Sequence, residues 1–477
     1  MLHEFIEKNI NRKVYICEQL YLFGEINISQ IATILETSKP TIMNDIKFII
    51  DKLQENKLIQ KHTRTKDKIH IEFNKNFSIL KSTQLLYNES LFLRFLIHYF
   101  ENQFSIIELQ KIEFLSIGTI YKFKKLVLDF FDKLGYLKEN NQIIIPEFDY
   151  RNILLIVFRY TGWRSFTQLS VSITNTANKL IDYVENQFLG RFYPSDERSL
   201  IIEGYRLILL RRELYPIKFD YNIKEEVSDI PLYTFINDGL NLLDIHLEKD
   251  EIIYLFYLFN SREYLNKDVQ LVENDTKVIY STFVRRNEVI YSLEKQINKL
   301  LHFSIKDSVL LQKSFTQFIK TLWADGQLFL PDKIFLLDNK QSLIYDEMIK
   351  LIESWKKQYN IKIRINTNLL RKFVLEISLY KKVIANNEQI EIFIVAPTVT
   401  RHFFYREKLR SLPSTKFKIN EVMYTEINTI PKLAFFLDNV LILCDYACIN
   451  NEEHHRFNVF PTSPKNIDNI ISTIMIN

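Results

Sequence analysis

One stretch, Asn27 to Phe73, restricts what this chain can fold into more than any other. Ile28, Ile31, Ala32 and Leu35 recur at three- and four-residue spacing, the apolar face of a short helix. Asn27 stands at its N-cap, and Gln30 three residues on completes a capping box. Glu36-Thr37-Ser38 breaks the period. Ser38 then caps a second helix, with Pro40 tolerated in its first turn. That helix turns Ile42, Ile46, Ile49 and Leu53 inward and leaves Lys39, Thr41, Asn44 and Lys47 outward. Leu58 to Lys61 leads into His62-Thr63-Arg64-Thr65-Lys66-Asp67-Lys68, after which Ile69, Ile71 and Phe73 alternate with His70 and Glu72. A period of two marks a half-buried strand, so the segment predicts a hairpin whose tip carries Arg64, Lys66 and Lys68. Helix, turn, helix and basic hairpin together make a winged helix.

Charge separates this reading from a plain helical core. Between Lys57 and Lys81 there are seven basic residues (57, 61, 64, 66, 68, 75 and 81) against Asp67 and Glu72. A solvated face mixes signs more evenly, whereas a phosphate-facing one need not. Duplex DNA is the partner implied. Lys39, Thr41, Asn44 and Lys47 would approach the major groove, Asn44 suiting an adenine edge, while Arg64, Lys66 and Lys68 grip phosphate or the adjacent minor groove. The formal charge of the 477-residue chain is only +4, so any attraction to a polyanion is local.

The pattern then returns. A leading helix (Val14, Ile16, Leu20, Leu22) lies before the first unit, and an apolar helix from Leu85 to Phe100 lies after it. Ser105 with Glu108 makes another capping box, and Ile106, Leu109 and Ile112 give a helix face. After the turn Phe114-Leu115-Ser116-Ile117-Gly118, a helix from Thr119 buries Ile120, Phe123, Leu126 and Phe130. It exposes Thr119, Tyr121, Lys122 and Lys125, a second DNA footprint. Tyr136–Lys138 and Gln142–Ile145, joined through Glu139-Asn140-Asn141, form a short, barely basic hairpin. This is a second winged helix, a repeat in architecture rather than in letters. A bracing or dimerising helical domain is its alternative.

Length predicts several domains, and 47% apolar with 14% aromatic residues supplies their cores. From Asp149 to about Lys382 the chain reads as long helices: 166–188, 196–212, 232–247, 250–264, 276–301, 308–323, 342–359 and 368–383. Two consecutive bundles of about five helices fit this. Neither contains a glycine-rich phosphate loop, a metal-binding helix pair or a nucleophile elbow. The last ninety residues alternate strands (390–395, 419–424, 440–444, 457–460) with helices carrying Arg401, Arg406, Lys408 and Arg410, then 430–437 and 465–475. That predicts a small parallel sheet with a site at the carboxyl end of its first strand. Cys444, Cys448, His454 and His455, beside Glu452 and Glu453, match no zinc-ligand spacing, so no metal and no cofactor is expected. Three cysteines make no disulfide framework, and neither a signal segment nor a membrane-length apolar run occurs. A cytoplasmic protein without membrane partners is expected.

In this order of parts the chain resembles the Mga/AtxA family of Gram-positive virulence and global regulators. The residues that carry the likeness most specifically are Thr37-Ser38-Lys39-Pro40-Thr41-Ile42 and Phe114-Leu115-Ser116-Ile117-Gly118-Thr119-Ile120-Tyr121. The resemblance implies a mostly α, multidomain chain: winged helix-turn-helix domains at 1–81 and 82–146, helical PTS-regulation domains at 147–264 and 265–385, and an enzyme IIB-like α/β domain at 386–477. It further implies promoter binding, a homodimer formed through the C-terminal part, and histidine phosphorylation by the phosphocarrier protein of the sugar-uptake relay. His246 and His302 are the candidate phosphoacceptors between Pro146 and Val383. Where regulatory domains of this type place a histidine after an Asp-Glu helix, Asp250-Glu251 here leads to Leu258. The enzyme IIB loop after the first strand, Ala396-Pro397-Thr398, has no thiol, so the chain is not expected to be an enzyme. Two rival functions are a phosphorelay component and an RNA-binding antiterminator. The RNA-binding module of the latter is a small β domain, unlike the helical start of this chain.

Overall fold

The computed structural model describes residues 2–74, 78–101, 105–140, 142–165, 171–188, 190–323, 335, 337, 339–361, 365, 367–385, 390–410, 417–431, 434, 440–448, 458–468 and 470. The chain separates into two compact units, Met1–Asp338 with Lys350–Lys372, and Asn339–Ile349 with Phe373–Asn477. It is mostly helical, with nineteen α-helices and one small parallel sheet among the described residues.

The first unit opens with α1 (Lys8–Phe23), which buries Ile10, Val14, Ile16, Cys17 and Leu20. Leu22, in the last turn of α1, is exposed together with its neighbours Tyr21 and Phe23. Gly24 ends α1 with φ 70° and returns its N–H to Leu20 O at 2.8 Å. A strand that the residue pattern did not announce follows, β1 (Glu25–Asn27), and then α2 (Ile28–Ile34), α3 (Lys39–Glu55), β2 (Ile59–Arg64) and β3 (Lys68–Phe73). The three strands pair antiparallel in the order β1-β3-β2.

The apolar run expected as a single helix from Leu85 to Phe100 is divided into α4 (Ile79–Tyr87) and α5 (Leu91–Phe100). The break has a physical cause. Glu7 accepts from Ser90 Oγ at 2.5 Å and Leu91 N at 2.8 Å, a carboxylate seated on the N-terminus of α5. After α6 (Ile106–Glu113) and α7 (Ile117–Lys133), the second hairpin is, among the described residues, a bridge between Leu137 and Ile143 flanked by Lys138 N on Gln142 O and Ile144 N on Tyr136 O, both at 2.9 Å.

The helices α8 (Glu147–Thr161), α9 (Val171–Gln187), α10 (Ser195–Arg211), α11 (Tyr221–Ser228), α12 (Pro231–Leu242) and α13 (Lys249–Ser261) come next. The part of the first expected helix at 166–170 lies outside the described residues. Arg151 of α8 is fully buried and holds both oxygens of Glu251 on α13 (2.5 and 2.9 Å) as well as Glu147 (2.8 Å). Glu147 also takes both arms of Arg211 from α10, at 2.6 and 2.8 Å. Four charges thus fix how three helices register. A continuous core joins these helices to the amino-terminal ones, from Leu2 to Phe259.

The segment expected as one helix from Thr276 to Leu301 is α14 (Val269–Tyr280), a π-turn (Ser281–Arg285) and α15 (Glu288–Leu301). Asn287 enforces the restart, its Oδ1 accepting from the N–H groups of Val289 and Ile290, both at 3.1 Å. Further along are α16 (Val309–Trp323), α17 (Asn339–Gln358) and α18 (Thr367–Ala385).

The second unit contains β4 (Ile390–Val395), α19 (Val399–Arg410), β5 (Phe417–Ile419), β6 (Val440–Asp445) and β7 (Val459–Thr462), a parallel sheet in the order β5-β4-β6-β7. Phe393, Val395, Ile442 and Cys444 fill one face of it, and Ile392, Ile394 and Leu443 meet Tyr405 and Leu409 on the other. Burial on both faces explains why these strands read as continuous apolar runs. The second strand ends at Ile419, where it was expected to begin. Tyr424 rejoins the sheet only through a bridge to Val395. Most of the expected helices at 430–437 and 465–475, and Phe457, fall outside the described residues.

Gly204 on α10 is packed without room for a side chain, since a methyl there would overlap Leu258 Cδ1 of α13. Gly204→Ala is expected to destabilise the fold by roughly 1–3 kcal/mol through overpacking, measured by urea denaturation. Because the two side chains collide, the double variant Gly204→Ala/Leu258→Ala should lose less stability than the sum of the two single variants.

Candidate functional site

The first helix pair is built by its turn. Leu35 closes α2 with its N–H on Ile31 O (3.0 Å), and Glu36 takes a left-handed backbone, φ 48°. Thr37 then donates to Ala32 O at 2.9 Å. Ser38 caps α3 by accepting from Thr41 N at 3.3 Å, and Asn27 caps α2 by accepting from Gln30 N at 3.0 Å. Ile42, Ile46, Ile49 and Leu53 are buried as their spacing requires. Asp45 is buried beside them and is met by Arg12 of α1 at 2.5 Å. Lys39, Asn44 and Lys47 are exposed. Thr41 is only half-buried, and its hydroxyl is 2.8 Å from that of Ser38. It belongs to the cap as much as to the outer face.

The hairpin is longer and narrower at its end than the sequence suggested. Arg64 pairs with Ile69 in the ladder and Lys68 with Asn27, leaving Thr65-Lys66-Asp67 as the tip, closed by Thr65 N on Lys68 O at 3.0 Å. Asp67 folds this tip back on the helix pair. Its carbonyl accepts from Ile28 N at 2.8 Å, and its carboxylate meets Ser29 Oγ at 3.2 Å and Lys39 Nζ at 3.8 Å. The start of α3 and the basic hairpin are therefore neighbours. Arg64 and Lys66 are exposed and pair with no carboxylate among the described residues, whereas Lys68 holds Glu25 at 2.7 Å.

The second helix pair repeats the first at one constant spacing, with no insertion between Asn27 and Leu58 of the first copy. Phe114 has φ 52° where the first has Glu36. Ser116 caps α7 by accepting from Thr119 N at 3.3 Å, and the two hydroxyls lie 2.9 Å apart. Lys57 and Gly135, both at positive φ, end α3 and α7, and the next N–H reaches back to Leu53 O and Phe131 O at 2.9 Å each. The repeat is thus also one of letters, Ser-x-x-Thr-Ile in both turns, a short signal that periodicity alone does not reveal. Ser105 differs from expectation. It precedes α6 but its side chain accepts no cap bond. Ile112 is exposed, and Val127 is fully buried where Leu126 was expected and is half-buried. Tyr121, Lys122 and Lys125 are exposed, and Thr119 is half-buried.

The candidate phosphoacceptors stand apart from these surfaces in sequence and in setting. His246 is 88% exposed, 3.6 Å from Asp244, and His302 is exposed at the left-handed C-cap of α15. The Asp-Glu pair that precedes Leu258 is already engaged: Asp250 accepts from Phe219 N and Lys224 Nζ (2.8 and 2.7 Å), and Glu251 holds Arg151. In the second unit the carboxyl end of β6 is occupied by Asp445. This buried carboxylate takes Arg401 at 2.9 and 3.0 Å and the Tyr405 hydroxyl at 2.5 Å. Desolvation, and then the Asp445 charge, push the Cys448 thiol above its ordinary value. His402 on α19 is buried with neither ring nitrogen bonded among the described residues. Desolvation, helped by Arg406, lowers its pKa and favours the neutral ring. His454, His455, Glu452 and Glu453 lie outside the described residues.

The two caps should be separable by mutation. Ser38→Ala and Ser116→Ala are each expected to cost about 1 kcal/mol of stability, read from denaturation midpoints. A loss well under half of that for both would mean the turns do not depend on their hydroxyls.

No family model matches the chain. Over 327 residues it is 27% identical to the capsule synthesis positive regulator AcpB of Bacillus anthracis, a stretch that covers 65% of this chain and 65% of that protein. Over 307 residues it is 23% identical to the capsule synthesis positive regulator AcpA of the same organism, covering 61% of this chain and 63% of that one. The likeness spans less than two thirds of either relative's length. No described helix is long and apolar enough to cross a membrane. The chain is similar, over that stretch, to proteins named as regulators, the broad class that its sequence resembles.

Proposed function

We propose that this chain is a DNA-binding transcriptional regulator that works through two amino-terminal winged helices. The observation that carries the reading is the exposed outer face of α3, with Lys39, Asn44 and Lys47, beside a hairpin that presents Arg64 and Lys66. The repetition of the same capped turn at Ser116, with Lys122 and Lys125 exposed after it, supports two contacts per chain. The relatives named as positive regulators support the class of function. In this reading α3 enters the major groove with Asn44 toward a base edge, Thr41 near the first contact, and the lysines on phosphate. Arg64, Lys66 and Lys68 follow the backbone beside it. Residues 147–264 and 265–385 are regulatory helical domains like those acted on by the sugar phosphorelay, and 386–477 is an enzyme IIB-like domain through which two chains dimerise.

A second reading, acceptance of phosphoryl groups from the phosphocarrier, has the exposure of His246 and His302 in its favour. It would regulate the first function rather than replace it, because Asp250 and Glu251 are bound by other groups and Leu258 stands at the usual histidine position.

Salt dependence tests the interface. A protein that neutralises one phosphate fewer releases fewer counterions, and its slope of log affinity against log salt falls in magnitude by about 0.9. Lys66→Ala should therefore weaken binding to all duplexes alike and reduce the slope by about one. Lys68→Ala should reduce it by less, since Glu25 already neutralises that ammonium. Fluorescence anisotropy with duplex DNA, and with structured RNA for comparison, measures both. An unchanged slope in Lys66→Ala removes the hairpin from the interface, and tighter binding to RNA removes the regulator reading.

A further inference from the structure

The two helix pairs share a backbone but not a surface. Where the first carries Glu36, Lys39 and Met43, the second carries Phe114, Ile117 and Tyr121, which are 90%, 52% and 58% exposed. Phe114 is in the left-handed turn and Ile117 is the first residue of α7, so the three side chains gather at the amino end of the helix. Exposed large apolar groups this close together mark a contact surface. Lys111, Lys122 and Lys125 rim them, all exposed. Of the two acids on α6, Glu113 is sealed under His98 (2.8 Å) and Arg94 (3.1 Å), and Glu108 sits in the first turn, at the far end from the patch.

We infer that this apolar patch reads thymine methyl groups in the major groove, giving the second helix pair a preference for T-rich duplex that the first lacks. The inference rests on the DNA-binding reading above and deepens it. The amino end of the second helix is the part of such a pair that meets base edges. Thymine is the base that offers an apolar group there, its C5-methyl. The lysine rim suits the flanking phosphates. The same rim argues against a second copy of this chain as the occupant, because a two-fold contact would pair the patch with itself and bring the lysines of both copies into one interface.

The test uses the full chain and two A·T-rich duplexes identical except that deoxyuridine replaces thymidine in one. Anisotropy titrations at one salt concentration are expected to show tighter binding of the thymine duplex, by about fourfold for each methyl covered. The triple variant Phe114→Ala/Ile117→Ala/Tyr121→Ala should bind both duplexes alike while keeping the wild-type salt slope. Lys66→Ala should lose affinity for both and keep their ratio. Equal binding of the two duplexes by the unaltered chain overturns the inference and leaves DNA binding intact. So does a triple variant that keeps the thymine preference, or one whose sole change is its oligomeric state in sedimentation. Failure to bind either duplex overturns the underlying reading as well.

Discussion

Both exposed helices depend on one backbone constraint, a left-handed residue two positions before a hydroxyl cap. Glu36 and Phe114 adopt it without being glycine, at a cost of about 1–2 kcal/mol each. The cap returns about 1 kcal/mol. The rest comes from the residues the turn delivers to the core, Ile42 and Ile120 directly after Thr41 and Thr119, both fully buried. The bend is therefore held by its consequences on both sides, and the side chains between cap and core are free to differ. That freedom is used differently in the two copies: charge in one, apolar groups in the other.

Buried charge sets the register of the helices behind them. Arg151 is shut away from solvent, so its guanidinium is tolerable only with Glu251 and Glu147 in place, and Glu147 in turn requires Arg211. Breaking such a set by removing one member costs about 3–5 kcal/mol, far more than any surface pair in the chain contributes. Asp250 and Glu251 are likewise engaged as structural anchors of α13, the helix that sets Leu258 against Gly204.

Local rules carried much of this fold into the sequence. Asn27 and Ser38 cap the helices they precede, the buried stripe of α3 follows its three- and four-residue spacing, and the parallel strands at 390–395 and 440–445 appear as apolar runs. What the sequence hid was decided by distant partners. The break at Ser90 depends on Glu7, a remote carboxylate that no window around Leu85–Phe100 contains. β1 exists because β3 offers it a ladder. The tip of the hairpin is shorter because pairing continues to Arg64. Among the candidate contacts, exposure was legible for Lys39, Asn44, Lys47, Lys122 and Lys125. It was less so for Thr41 and Thr119, whose second role in the caps only geometry reveals.

The carboxyl end of α8 works as a mechanical joint. Gln84 reaches the carbonyls of Phe158 and Arg159 (3.4 and 3.2 Å), and Asn88, one turn further along α4, reaches that of Thr161 at 3.1 Å. The Phe158 carbonyl also accepts from Gly162 N at 2.7 Å, and the carbonyls of Arg159 and Thr161, which water would ordinarily satisfy, are held by amides of a neighbouring helix. α4 lies on α1, and α1 grips α3 through Arg12 and Asp45. A tilt of α8 must either strip those amides away or carry α4 with it. The bundle and the surface of α3 are joined by solid leverage rather than by a slack tether.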